Sequence, residues 1–229
     1  MRTRAGIILQ ARLASSRLPG KALETIGSRT ILEHCLRRLI AGGVAHVALA
    51  TTTNREDDEL AAVASRMGVP VLRGEVDDVL GRFAATATAL RLDPIVRATA
   101  DNPAVDVLAA GRLLTAMRAG RVDYVAEDGL PLGAGVEAFT YAALSRTTMA
   151  AEQPYDREHV TPFIKRNTQT FAAVMLPAPA PLRRPDLRFT IDTRADLEYM
   201  RTLFARSGTD TPSLRQLIEA AGRAESEVA

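Results

Sequence analysis

The sequence is short of several things, and each shortage narrows what it can be. It holds one cysteine, Cys35, in 229 residues, so neither an intrachain disulfide framework nor a multi-cysteine zinc site is open to it. Cys35 falls in an apolar helical pattern and reads as buried filler. Tryptophan is absent and aromatics make up 4%, too few for a stacking platform on single-stranded nucleic acid. Charge of one sign is also missing: 29 Lys and Arg face 27 Asp and Glu, a formal net charge of +2. No basic block is dense enough to mark a nucleic-acid or lipid surface. No apolar run reaches the ~18 residues of a membrane span. The apolar start at Ile7-Ile8-Leu9 is interrupted by Gln10 and Arg12, so it reads as a first strand and not as a leader. The expectations are a cytoplasmic location and no nucleic-acid or membrane partner.

The hydrophobic fraction is 47%, enough for a sizeable core. At ~150 residues per domain, one large domain over residues 1–229 accounts for the length. The first half alternates strand and helix. Gly6–Gln10 reads as a strand and residues 11–29 as a long polar loop. Thr30 and Glu33 make a capping box for a helix that carries Leu32, Cys35, Leu36, Leu39 and Ile40 on one face. Gly42-Gly43 stops it. Strands follow at 44–50, 68–72, 94–98 and 122–125, with helices at 56–66, 77–90 and 105–119 between them. This alternation implies an α/β fold: a mostly parallel sheet with helices on both faces, a Rossmann-like three-layer sandwich. Beyond residue 126 the pattern loosens. Expected there are a glycine-rich loop at 129–135, a strand at 136–141 leading into a short helix, helical content over 154–166 and a strand at 171–176. A stiff extended connector at 177–181, a strand at 187–191 and two terminal helices complete the reading. The tail to Ala229 is expected to fray.

Ligands of such a sheet bind beyond the carboxyl ends of its strands. The loop after the first strand, Ala11-Arg12-Leu13-Ala14-Ser15-Ser16-Arg17-Leu18-Pro19-Gly20-Lys21, carries three cations, two serines and a Pro-Gly turn. Arg presents a planar fork and Lys a compact charge, a mixture suited to a di- or triphosphate. The segment is not a P-loop, because Ser15 and Ala22 stand where that motif needs Gly and Ser/Thr. Its bland alternative is a solvated basic loop. Asp101, displayed before Asn102-Pro103, is placed to hold Mg²⁺ against phosphate oxygens. Asp192 ends a later strand, and there a helix N-cap competes with a metal role. Asp77, Asp78 and Asp106 read as helix caps. Thr51-Thr52-Thr53-Asn54 sits at another strand end, where hydroxyls either meet a base or ribose or simply turn the chain.

Residues 10–21 closely resemble the signature of the cytidylyltransferases that make CMP-activated sugars, especially the 3-deoxy-manno-octulosonate branch. Later stretches resemble the spore-coat polysaccharide biosynthesis branch: Glu56-Asp57-Asp58, Gly68-Val69-Pro70-Val71, Arg73-Gly74, Asp77-Asp78-Val79-Leu80-Gly81-Arg82-Phe83, Tyr155-Asp156-Arg157-Glu158-His159-Val160-Thr161-Pro162 and Phe189-Thr190-Ile191-Asp192-Thr193. The resemblance implies a nucleotide-diphosphosugar-transferase-like domain that moves CMP from CTP to an acceptor oxygen, with Mg²⁺ and release of pyrophosphate. It implies that Arg12, Arg17 and Lys21 bind the triphosphate, with Ser16, Thr51 and Asp101 as further nucleotide contacts and Asp101 and Asp192 as the metal pair. Glu137, Tyr155, Arg157 and His159 fall on the acceptor side. Residues 126–185 become the acceptor-side and dimerisation region, and a homodimer is expected. Two departures stand out. Gly135 replaces an acidic residue of the relatives' Gly-Leu-Asp-Val-Glu, and Ala100 and Asn102 replace Gly and Cys around Asp101. The competing readings are a glycosyltransferase, a transferase using UTP, GTP or ATP, and a non-catalytic nucleotide-binding homologue.

Overall fold

The structure is a computed structural model, and it describes residues 3–226. In chain order the elements are β1 (Arg4–Gln10), the two-residue strands β2 (Thr25–Ile26) and β3 (Arg29–Thr30), α1 (Ile31–Ala41), β4 (Val47–Thr52), α2 (Asp58–Arg66), β5 (Val71–Gly74), α3 (Val79–Leu90), β6 (Leu92–Thr99) and α4 (Ala109–Ala119). Then come β7 (Tyr124–Asp128), β8 (Glu137–Phe139), α5 (Tyr141–Ala150), α6 (Pro154–His159), α7 (Pro162–Arg166), β9 (Ala173–Pro177), α8 (Arg194–Ser207) and α9 (Leu214–Ser226).

Seven strands form one sheet in the order β5-β4-β1-β6-β8-β7-β9. All pairings are parallel except those of β8, which runs against both β6 and β7. The mostly parallel α/β sheet expected from the alternation is therefore present. β1 lies between β4 and β6, so the chain winds outward on one side of β1 and then resumes on the other. The crevice at such a reversal, beyond the strand ends, is where open α/β sheets bind ligands.

The core explains why these segments form strands. Ile7 and Leu9 pack on the face covered by α1, α2, α4, α8 and α9, while Ile8 packs on the face covered by α3 and α5. All three side chains are fully buried, as strands covered on both faces require. Side chains set the helix starts. Thr30 and Glu33 form the expected box, with Glu33 N–H donating to Thr30 Oγ1 at 3.2 Å and Thr30 N–H to Glu33 Oε2 at 2.8 Å. Asp78 opens α3 by accepting from Gly81 N–H at 2.8 Å. Thr193 and Asp196 repeat the box at α8.

The structure corrects several expectations. Residues 25–30 are not loop throughout, because β2 and β3 pair as a small hairpin. Leu187–Ile191 is extended but is not a strand. Its main chain divides between two partners, Phe189 N–H donating to Leu132 and Ile191 N–H to Asp101, so no continuous ladder forms. The connector at 177–181 is extended only at first, since Ala180–Leu182 turns into a 3-10 helix. The last helix runs on to Ser226, and the rest of the expected frayed tail lies outside the described residues.

Gly133 locks the 129–135 loop against the 187–191 segment. Its φ is +92°, and a Cβ there would lie 2.5 Å from the Thr190 nitrogen. Gly133→Ala is expected to destabilise the protein by ~1–3 kcal/mol, from left-handed strain and backbone clash together. Urea unfolding checks this, and an unchanged midpoint would show that the contact gives way freely.

Candidate active site

The loop after β1 is built to hold its cations still. Leu18-Pro19-Gly20-Lys21 is a tight turn closed by Lys21 N–H donating to Leu18 C=O at 3.2 Å. Gly20 has φ 73° and ψ 4°, the third-position geometry of a type II turn, with proline preset before it. Gly20 N–H also donates to Leu13 C=O at 3.0 Å, and Leu13 N–H donates to Asp57 Oδ1 at 2.8 Å. Asp57 is itself buried after β4 and accepts from Thr52 Oγ1 through its other oxygen. The loop is thus tied to the neighbouring strand end through one buried carboxylate.

This turn delivers Lys21 to two aspartates far away in sequence. Lys21 Nζ donates to Asp101 Oδ2 at 3.0 Å, to Asp192 Oδ1 at 3.1 Å and to Ile191 C=O at 2.7 Å. Asp192 Oδ1 also meets Arg17 at 2.8 Å, and its Oδ2 meets Arg188 at 2.6 Å. Burial pushes the Asp192 carboxyl up, but Lys21, then Arg17 and Arg188, outweigh it and hold it below the ordinary aspartate value. The two carboxylates converge on one cation, Asp101 from just past β6 and Asp192 from the extended segment before α8. Two hard oxygen donors facing a common point suit Mg²⁺, which takes one or two protein carboxylates and leaves its other positions to water and phosphate. No cluster of three or more metal-ligating side chains occurs among the described residues.

A cleft of about 280 Å³ opens above this centre. Five cations, Arg12, Arg17, Lys21, Arg82 and Arg97, and three carboxylates, Asp101, Glu158 and Asp192, line it, with Ser16 at the rim. A second cleft of about 520 Å³ adjoins it. Arg97, Thr99 and His159 belong to both.

Comparisons with known proteins give the family. The model of the cytidylyltransferase family matches residues 6–221. The chain belongs to the cytidylyltransferase family. It is similar to the spore coat polysaccharide biosynthesis protein SpsF of Bacillus subtilis, 34% identical over 88% of this chain and 86% of that protein. It is 35% identical to an uncharacterized protein of Methanocaldococcus jannaschii, over 93% of this chain and 88% of that one. The structure of a cytidylyltransferase from Leptospira borgpetersenii superposes with a TM-score of 0.90 at 30% identity, covering 98% of this chain and 96% of the other. Membership makes this chain a CTP-dependent nucleotidyltransferase.

In this cytidylyltransferase Glu137 lines the second cleft and is a hub. Its carboxylate accepts from Arg97 at 2.7 Å, Tyr124 Oη at 2.7 Å and Thr161 Oγ1 at 3.0 Å, and pairs with Lys165. Burial alone would raise its pKa, yet Arg97 and Lys165 hold it at about 2. The same burial, with the Glu137 charge, pushes the Tyr124 hydroxyl far up, so it stays a donor. Tyr155 and His159 line the second cleft and pack ring to ring at 4.5 Å. His159 opens a strained γ-turn: Val160, fully buried, has φ 70° and ψ −53°, and Thr161 N–H donates to His159 C=O at 2.8 Å. That turn separates the residue facing both clefts from the one bound to Glu137.

Two expected residues are not brought together with the rest. Arg157 reaches Asp78 at 2.6 Å and Ala151 C=O at 3.2 Å, bracing α6 against the start of α3, and it lines neither cleft. Thr51 is fully buried in β4 and also lines neither cleft. Sequence reasoning assigned no role to Asp57, Arg82, Arg97, Glu158 or Lys165. Asp57, Arg82 and Glu158 lie in the family-like stretches around residues 56, 82 and 158, whereas Arg97 and Lys165 lie outside every such stretch.

Glu137 ionises well below its unfolded value, so its charge stabilises the fold fully above pH ~4.5. That contribution is lost as pH falls toward about 2. Glu137→Gln is expected to cost ~3–5 kcal/mol at pH 7, because Arg97 loses its buried partner. It is also expected to flatten the acid limb of stability between pH 4.5 and 2. Urea unfolding of both proteins across this range checks the prediction, and parallel curves would overturn it.

Proposed function

We propose that this cytidylyltransferase transfers CMP from CTP to an oxygen of a sugar, polyol phosphate or phosphonate acceptor, with release of pyrophosphate and dependence on Mg²⁺. The observation that carries the reading is the juxtaposition at the end of β1: a rigid basic loop, two aspartates converging on one point, and a second cleft opening from the first. Arg12, Arg17 and Lys21 bind the triphosphate, with Ser16 beside them, and stabilise the pyrophosphate as it leaves. Asp101 and Asp192 hold the metal. When bound, Mg²⁺ lowers the cost of charge developing on the α-phosphate. The acceptor oxygen attacks the α-phosphorus as the bond to the β-phosphate breaks, so positioning and electrostatics suffice and no covalent enzyme intermediate is needed.

The acceptor occupies the second cleft, with Tyr155, His159 and the Glu137 network around it. Gly135 lines that cleft, and the nearest atom to a Cβ there is Leu130 Cδ1 at 3.5 Å, so the position has room for the side chain it lacks. Removing an acidic group there lessens repulsion against an anionic acceptor. A glycosyltransferase reading is less well served. Asp101-Asn102-Pro103 offers one carboxylate, and the loop's cations match a departing pyrophosphate.

Calorimetric titration with CTP, UTP, ATP and GTP is expected to show selective CTP binding, and preference for another base would overturn the assignment. Asp101→Asn is expected to abolish most Mg²⁺-dependent turnover, read as pyrophosphate release in an acceptor screen. An unchanged Mg²⁺ titration would exclude metal ligation there. The whole chain acts as one nucleotidyltransferase domain, and residues 126–185 form the acceptor side and the subunit contact. The exposed Val174 and Met175 on edge strand β9 support that contact. Sedimentation at micromolar concentration is expected to show a homodimer, and a monomer would overturn this.

A further inference from the structure

We infer that Lys21 stands in the divalent cation's place in the nucleotide-free protein, so that Asp101 and Asp192 accept the metal only when a triphosphate draws Lys21 away. This rests on the reading of the two aspartates as the metal pair.

An ammonium has three donors and no acceptor. All three donors of Lys21 are satisfied, by Asp101 Oδ2, Asp192 Oδ1 and Ile191 C=O, at 3.0, 3.1 and 2.7 Å. The side chain is 12% exposed, so little water competes for it. Arg188 holds Asp192 Oδ2 and thereby leaves Oδ1 facing Lys21. Ile191 N–H donates to Asp101 C=O at 2.9 Å, which fixes the two segments relative to each other. The carboxylates are therefore prearranged around a cation, and that cation belongs to the chain.

A metal ion arriving alone would have to evict an ammonium with every bond made. It would also have to approach Asp192 past Arg17, 2.8 Å from the same Oδ1, and Arg188. Mg²⁺ in addition gives up its water reluctantly. A triphosphate changes each of these conditions. Its oxygens give Lys21 and Arg17 other acceptors, and its charge cancels the cation repulsion. The carboxylate oxygens then become free at the moment when phosphate oxygens can complete the metal's coordination. By linkage, metal and triphosphate raise each other's affinity by the same factor.

The test uses Mn²⁺ alone, without nucleotide, followed through loss of the free-ion paramagnetic resonance signal. K21M keeps the apolar stem and removes the charge. It is expected to bind one Mn²⁺ about tenfold or more tightly than wild type, a coupling of ordinary size. K21R keeps a cation there and is expected to bind as weakly as wild type. K21M/D101N is expected to lose the gain. Melting temperature with and without Mn²⁺ gives a second reading, with stabilisation expected for K21M alone. If K21M does not fold, K21Q takes its place. Equal Mn²⁺ affinity in wild type and K21M would overturn the inference, and so would failure of a folded charge-neutral variant to gain binding. Titration of wild type with CTP in the presence of chelator reports separately on the proposed function. Loss of CTP selectivity there would count against that reading whatever the Mn²⁺ result.

Discussion

The contact of the Lys21 ammonium with Asp101, Asp192 and Ile191 is the constraint on which the site depends. It joins three chain segments that share no local sequence: the loop after β1, the end of β6 and the extended segment before α8. Two carboxylates brought to one place repel each other unless something positive lies between them. Here the fold supplies that charge from the loop that also carries Arg12 and Arg17. Arg17 reaches the same aspartate, and Arg12 reaches Glu158 at 2.7 Å. Each of the loop's three cations is thus already partnered by an acid of the cleft. The arrangement keeps long side chains ordered before a ligand arrives, which lowers the entropy lost on binding.

Topology makes this convergence possible. β1 sits where the winding reverses, with β4 on one side and β6 on the other. The loop leaving β1 can therefore be anchored sideways to Asp57 after β4 while its far end reaches Asp101 after β6. The one reversed strand, β8, brings Glu137 beside Arg97 of β6. An all-parallel continuation would have needed another crossover there. The hairpin-like return instead lets a second cleft open directly from the first.

Much of this was legible in the chain. The alternation of short apolar runs with 3.6-period segments gave the parallel α/β core, because strands buried on both faces are written as continuous apolar residues. The basic loop was legible because Pro19-Gly20 and three cations are local features. Leu187–Ile191 misled because its alternation is that of a strand: Leu187, Phe189 and Ile191 are buried. Its hydrogen bonds, however, go to two different neighbours, and no pattern within the segment reveals that. Asp57 and Glu158 were invisible as site residues for a related reason. Neither acid carries a local sign of its partner, and only the fold shows that Asp57 holds Leu13 and Glu158 holds Arg12.

The two halves of the site therefore differ in how they are encoded. The first cleft rests on a compact turn whose geometry follows from its own residues, plus Asp101 after β6 and Asp192 after the extended segment before α8. The second cleft rests on Glu137, a buried charge neutralised by side chains from β6, β7 and the residues around α7, with its neighbouring loop held by a glycine that packs on Thr190. A buried charge with this many partners is costly to move, because any one loss leaves the others unpaired. Residues at the rim, such as Gly135, bear no such load. Substitution there alters the cleft's shape and charge while the Glu137 network and the Lys21 centre stay in place. On that physical ground, substitutions at the rim of the second cleft can change what it admits while the Lys21 centre beneath them stays constant.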